Sequence, residues 1–143
     1  MDITTNKRAY FDYQVLETFE AGLELKGFEV KAIKTGHLNL TGAYAIIKDE
    51  QIWLLNANIP PYQPKNTPAD YDPQRTRRLL LKQEEIKHLI GQLKKGLTLL
   101  PLRAYTKNGI IKIEIGLARG RQRFDKREII KKREAQREIR KDI

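Results

Sequence analysis

Apolar positions along the chain change period several times, and each change marks an element. From Tyr10 to Phe19 aromatic, β-branched and polar residues mix at roughly period two and the pattern stops at Ala21-Gly22, which predicts a strand. Leu23 to Leu25 reads as a short second strand. In Glu29-Val30-Lys31-Ala32-Ile33-Lys34 the spacing of Val30, Ile33 and Lys34 is helical and Gly36 follows, predicting a short helix with a glycine at its C-terminus. Ala43 to Lys48 and Gln51 to Asn56 flank Asp49-Glu50 as a hairpin, with Trp53 and Leu55 on one face. Five of the six prolines fall between Ile59 and Pro73, with Asn66, Asp70 and Asp72, so a long loop without regular structure is predicted there.

Arg75-Thr76-Arg77-Arg78-Leu79-Leu80-Leu81 fits either a helix start capped by Asp72 with Pro73 in the first turn, or an extended segment; the extended reading is preferred. A helix is predicted from about Gln83 to Lys95, because Ile86, Leu89, Ile90 and Leu93 form an apolar stripe, Glu84 and Glu85 suit the N-terminal dipole and Gly96 ends it. Leu97 to Tyr105 and Ile110 to Ala118 are β-rich and joined by Thr106-Lys107-Asn108-Gly109, whose Asn-Gly pair favours a tight hairpin turn. Ile111, Ile113 and Ile115 alternate with Lys112, Glu114 and Gly116, so one face is predicted to be core and the other wet. Short strands with two small helices make a mainly β fold with peripheral helices, an OB-like antiparallel β-barrel by analogy of architecture.

Charge divides the chain differently. From Arg119 to Ile143 eleven Lys or Arg stand against five Asp or Glu, a net of +6 out of the chain's +10. A segment so charged and so poor in large apolar residues takes its structure from a partner, and an anionic one. The expected organisation is a barrel over residues 1–118 and a basic C-terminal tail over 119–143, and the charge alone admits nucleic acid, an anionic membrane or an acidic protein as partner. In an extended tail Arg119, Arg121 and Arg123 would lie along one side, spaced for successive phosphates. From Asp125 onward, with neither Gly nor Pro, the tail fits a solvated extension and a partner-induced helix equally well.

The residue inventory excludes much chemistry. There is no Cys and no Ser, so thiolate metal sites, disulfides and the common nucleophiles are absent. His37 and His88 have no spacing that suggests a shared metal, and Glu84-Glu85 diverge on a helix and serve its start. Neither a catalytic nor a metal site is expected, and a nuclease using Asp70, Asp72 and Glu84 or Glu85 is disfavoured. No apolar run reaches about 18 residues and Met1 to Arg8 lacks a signal-peptide core, so a soluble cytoplasmic protein with no membrane partner is expected.

A set of ordered motifs gives the charge a more definite meaning. Asn6-Lys7-Arg8-Ala9, Phe19-Glu20-Ala21-Gly22, Gly27-Phe28-Glu29-Val30-Lys31, Asp72-Pro73 with Arg75-Thr76-Arg77-Arg78-Leu79-Leu80-Leu81, Gly96-Leu97-Thr98, Lys107-Asn108, and Gly116-Leu117-Ala118-Arg119-Gly120 leading to Asp125-Lys126-Arg127 run across nearly the whole chain. In this order the chain resembles the SmpB family, the small tmRNA-binding proteins of bacterial trans-translation. The resemblance implies binding to the tRNA-like domain of tmRNA, help in its delivery to stalled ribosomes, and replacement of the missing codon–anticodon contact. Elongation factor Tu and alanyl-tRNA synthetase would be indirect partners through tmRNA, and small-subunit rRNA of the ribosome a direct one.

Position by position, the resemblance assigns tmRNA binding to Glu20, Leu80 and Lys112. It assigns the decoding region and the empty mRNA channel to the tail, through Arg119, Arg121, Arg123, Phe124, Asp125, Lys126 and Arg127, with the tail helical on the ribosome. Phe124 stands where relatives often have Tyr or His, His37 where a basic residue is usual, and Tyr10-Phe11 where the pair is more basic. Physically, Lys112 suits a phosphate or base contact, whereas Glu20 would be useful to RNA only as an acceptor from a base amine or a 2′-hydroxyl. Read without the motifs, the same charge fits a general OB-type RNA binder or a ribosomal structural protein.

Overall fold

The computed structural model describes residues 2–63, 65, 67–120, 130 and 133. Its elements run β1 (Asp2–Thr5), α1 (Lys7–Asp12), β2 (Tyr13–Leu23), α2 (Gly27–Lys34), β3 (Tyr44–Lys48), β4 (Gln51–Leu55), β5 (Arg77–Leu80), α3 (Gln83–Leu93), β6 (Thr98–Lys107) and β7 (Ile110–Gly120). All strand pairs are antiparallel, and they close on themselves in the order β6, β3, β4, β5, β2, β7 and back to β6. This is the mainly β, OB-like arrangement predicted. One edge of β6 is shared: β3 meets it at Leu99, and β1 continues along it at Arg103 and Tyr105. Closure removes most of the unpaired strand edge that an open sheet would expose.

Alternation along the strands fills the ring. Ala21, Leu23, Ile52, Leu54, Leu79, Leu99, Ile113, Ile115 and Leu117 point inward and are buried, with Ala32 and Ile33 of α2 and Ile86 and Leu89 of α3 in the same cluster. The two hairpin turns need left-handed backbone: Asp49 and Glu50 sit at φ 54° and 59°, Asn108 and Gly109 at 54° and 76°. The extended reading of Arg75 to Leu81 holds at β5, and no α-helix or strand occurs among the described residues of 59–73.

Three expectations change. Tyr10 to Asp12 belong to helix α1, not to the strand, because Asn6 builds a helix start there: its Oδ1 accepts from the Ala9 amide at 3.3 Å while its Nδ2 donates to the carbonyls of Pro101 at 2.9 Å and Leu40 at 3.2 Å. The strand then passes straight through Ala21-Gly22 to Leu23, so Leu23 to Leu25 is not a second strand; pairing on both sides overrides the weak β preference of Gly22. The wet face of β7 is also only partly wet. Lys112 and Glu114 are half-buried, but Gly116 and Ala118 are covered by a second cluster of Ala9, Leu100 and Leu102, with Tyr13 and Val15 at its margin. A bulge between Pro101 and Arg103 allows Leu100 and Leu102 to face outward before Ala104 turns back in. A Cβ on Gly116 would stand 2.8 Å from Leu102 Cδ1, so a side chain there would have to push the buried Leu102 aside.

An ion cluster ties the proline-rich loop to this frame. Glu29 on α2 is fully buried and accepts from Arg77 Nε at 2.8 Å and Nη2 at 2.6 Å, from Arg75 Nη2 at 2.5 Å, from the Tyr71 hydroxyl at 3.0 Å and from the Lys26 amide at 2.8 Å. Arg77 spends its remaining donors on the carbonyls of Ala57 at 2.9 Å, Pro73 at 3.0 Å and Arg75 at 3.1 Å. Burial would raise the pKa of Glu29, but the donors from Arg75, the Lys26 amide and Arg77 outweigh it and hold the carboxyl at about 2. With every lone pair and N–H engaged, the pair anchors loop, helix and sheet together.

Candidate nucleic-acid interface

On the outside of the ring, strand register draws distant residues into a row. Gly22 of β2 is opposite Leu80 of β5 on one side and Lys112 of β7 on the other, and Lys112 is opposite Tyr105 of β6. Because Ala21 and Leu23 point inward, Glu20 and Gly22 point out. Leu80 lies over the bare backbone of Gly22, where an added Cβ would be 3.3 Å from Leu80 Cβ. Of the three leucines, Leu79 is buried in the ring, Leu81 packs on the edge of the core, and Leu80 is 44% exposed. The predicted residues Glu20, Leu80 and Lys112 therefore line one open groove of about 500 Å³, together with Gln51, Arg78 and Lys82.

Glu20 is not simply a strand residue paired with a lysine. The Tyr105 hydroxyl donates a short hydrogen bond to it, and Lys107 Nζ lies 3.5 Å away. The Tyr105 bond is the main cause that lowers the Glu20 pKa; desolvation opposes it, and Lys107 and Lys112 add to the lowering. Tyr105 moves the other way, pushed up to about 12 by burial and by the carboxylate it serves. Arg103 completes the cluster: its guanidinium lies 4.3 Å from the Tyr105 ring centroid and bonds Glu114 at 3.2 Å and Asp2 at 2.7 Å. At neutral pH the groove thus offers a fixed anion, an acceptor of the kind a base amine or sugar hydroxyl could meet, beside the cations Lys112 and Lys82. Arg78 approaches Glu24 to 3.1 Å without the alignment of a hydrogen bond.

Sequence reasoning missed Tyr105, Arg103 and Arg78. No local signal gave the first two away, since they fall on the outward phase of β6 only because of the bulge at Leu102. The other predicted positions are elsewhere. Arg119 lies on β7 at its far end from Lys112 and donates to Gln14 at 2.8 Å. Arg121, Arg123, Phe124, Asp125, Lys126 and Arg127 lie outside the described residues. Further on, Ile130 and Arg133 are helical and share a shallow groove with Lys7, Arg8, Tyr10 and Phe11, the Arg133 guanidinium 5.8 Å from the Phe11 ring centroid.

Four of the other titratable residues singled out in the sequence have structural partners. His88 Nε2 is 3.1 Å from Glu17, His37 Nδ1 is 2.8 Å from the Thr35 hydroxyl, Glu85 accepts from the Lys82 amide at 3.1 Å to start α3, and Asp72 closes a turn onto the Gln74 amide at 2.9 Å. Among the described residues no three His, Asp or Glu are grouped to hold a metal ion, and no helix is long and apolar enough to cross a membrane.

The family model described as SmpB protein matches residues 3–143 of the chain. The chain belongs to the SmpB family. It is 49% identical over 138 residues to the SsrA-binding protein of Gloeothece citriformis, covering 96% of this chain and 89% of that one. The SsrA-binding protein of Thermosipho africanus is 49% identical over 139 residues, covering 96% and 93%. Among solved structures, a chain from "tmRNA-SmpB: a journey to the center of the bacterial ribosome" superposes with a TM-score of 0.68 at 43% identity, covering 89% of this chain and 93% of that one. SmpB proteins are RNA-binding proteins, not enzymes.

Proposed function

We propose that this protein binds tmRNA and serves trans-translation, gripping the tRNA-like domain with the Glu20, Leu80 and Lys112 face. The observation that carries the reading is the convergence of those residues, from three strands, on one groove that combines an exposed leucine, an ionised carboxylate and several cations. Such a surface suits a structured RNA loop: cations for the backbone, an apolar contact for a base or sugar, and a carboxylate that rejects phosphate and accepts from an amine or hydroxyl. The family and the names of its relatives support the same partner.

Delivery to a stalled ribosome follows in this reading, with the body (residues 1–118) on tmRNA and the basic tail (119–143) on small-subunit rRNA. Arg119, Arg121 and Arg123 would run along phosphates, Phe124, Asp125, Lys126 and Arg127 would occupy the decoding region, and the rest would fold into the empty mRNA channel. Elongation factor Tu and alanyl-tRNA synthetase join through tmRNA, and the work takes place in the cytoplasm. Ending the chain after Arg123 should leave tmRNA binding by gel shift largely intact and abolish peptide tagging on stalled ribosomes; tagging by the shortened protein would refute the tail assignment. Equal competition by unrelated structured RNA would favour a general OB-type binder instead.

A further inference from the structure

The outer sheet continues past the groove into a surface that Glu20, Leu80 and Lys112 leave unused. Arg78, which lines the groove, is opposite Trp53 of β4, and Trp53 is opposite Ile46 of β3, so the three form one cross-strand row. Ile46 and Tyr44 are exposed large apolar residues, and Trp53 is half-buried in an open cleft of about 450 Å³ with Ile46, Leu55 and Lys48, closed at the turn by Asp49. The indole is fixed: its Nε1 donates to the Lys48 carbonyl at 3.0 Å, which satisfies its one polar atom and sets the plane of the ring. A rigid aromatic ring, flanked by Arg78 and Lys48 and continuous with a polar groove through Arg78 and Gln51, has the makeup of a base-stacking platform.

We infer that Trp53, between Ile46 and Arg78, stacks on an unpaired base of the RNA held in the Glu20–Leu80–Lys112 groove, extending that binding face across β5 and β4. The inference rests on the proposed function and adds a residue and a ligand element to it. An RNA base is favoured over a protein surface because Trp53 lies one cross-strand step from Arg78 of the cation-lined groove, with Lys48 on its other side beside Asp49. Stacking on one ring contributes about 1–3 kcal/mol per base, or about five- to 150-fold in affinity.

Trp53 is the only tryptophan in the chain, so its emission reports on this surface alone. The full chain is titrated with a tRNA-like-domain RNA and, separately, with a fully paired duplex of equal length, while gel shift measures binding independently. Strong quenching by the loop-bearing RNA that saturates with the gel shift, and little quenching by the duplex, is the expected result. Trp53→Phe should keep most of the affinity, and Trp53→Leu, which retains apolar bulk without a ring, should lose it within the stated range. Saturable binding with unchanged emission, or Trp53→Leu binding like the parent, overturns the platform and leaves the proposed function standing. If Trp53→Leu instead alters self-association and not RNA binding, the face is a protein interface and the platform is also overturned. Failure of the parent protein to bind the tRNA-like domain at all sinks the proposed function, and the platform with it.

Discussion

Glu29 and Glu20 each collect a tyrosine and basic side chains, yet they do opposite work. Glu29 is buried beneath the proline-rich loop and is enclosed by Arg75, Arg77 and Tyr71, whose donors go to it and to neighbouring backbone carbonyls. Glu20 stands outside the ring, its side chain 40% exposed, with Tyr105 and Lys107 on one side and the open groove on the other. The first cluster consumes its hydrogen-bonding capacity on the fold. The second keeps part of it available. Burial, rather than residue type, thus separates a structural carboxylate from one that can serve a ligand.

Removing one side of the buried cluster is the harshest test of that contrast. Glu29→Ala leaves the Arg77 guanidinium buried without its anion, and should cost about 3–5 kcal/mol of unfolding free energy by chemical denaturation. A loss below about 1 kcal/mol would mean that water reaches the cluster and that the contrast fails. Acid probes the same site without mutation. Because the folded pKa of Glu29 lies at about 2 against an ordinary 4.5, its contribution is complete above about pH 4.5 and is lost as the pH falls toward 2. The loss is on the order of 3 kcal/mol. Denaturation midpoints of parent and Glu29→Gln should therefore converge as the pH is lowered through that window.

The elements were legible where periodicity was long and local: α3, the two hairpins and the irregular stretch over 59–73 follow from apolar stripes, turn residues and prolines. What stayed hidden was set by distant partners. Helix α1 is six residues long and begins at an asparagine held by Pro101 and Leu40, contacts that no local pattern announces. The burial of Gly116 depends on a bulge in the neighbouring strand. At the candidate site Glu20, Leu80 and Lys112 were named by resemblance to a family, because nothing local distinguishes Leu80 from Leu79. Register supplied the physical reason, by placing Leu80 outward over Gly22. Tyr105 and Arg78 could be recognised only once β6 and β5 were aligned with their neighbours.

On the exposed side, a substitution should spare the fold and touch RNA. Lys112→Ala should change stability by no more than about 0.5 kcal/mol and weaken binding of tRNA-like-domain RNA. Its salt dependence should become shallower by about one unit of log–log slope if the lysine neutralises one phosphate. An unchanged slope with weaker binding would mean that Lys112 contacts a base or acts through Glu20.

The smallest effect belongs to the Tyr105 hydroxyl. Tyr105→Phe keeps the ring beneath Arg103 and deletes only the donor to Glu20, so thermal stability should hardly move. The Glu20 carboxyl, relieved of the principal cause of its lowered pKa, should titrate closer to its ordinary value of 4.5, as followed by carboxyl NMR. Lys107 and Lys112 still favour the anion, so Glu20 stays ionised near neutral pH and RNA binding there should fall only slightly, through loss of its fixed orientation. The same change at Tyr71 would remove the hydroxyl whose single proton lies between the buried Glu29 carboxylate and the Ile59 carbonyl. If Tyr105→Phe proved as destabilising as Tyr71→Phe, the outer cluster would be part of the frame, and the groove would owe its carboxylate to folding instead of binding.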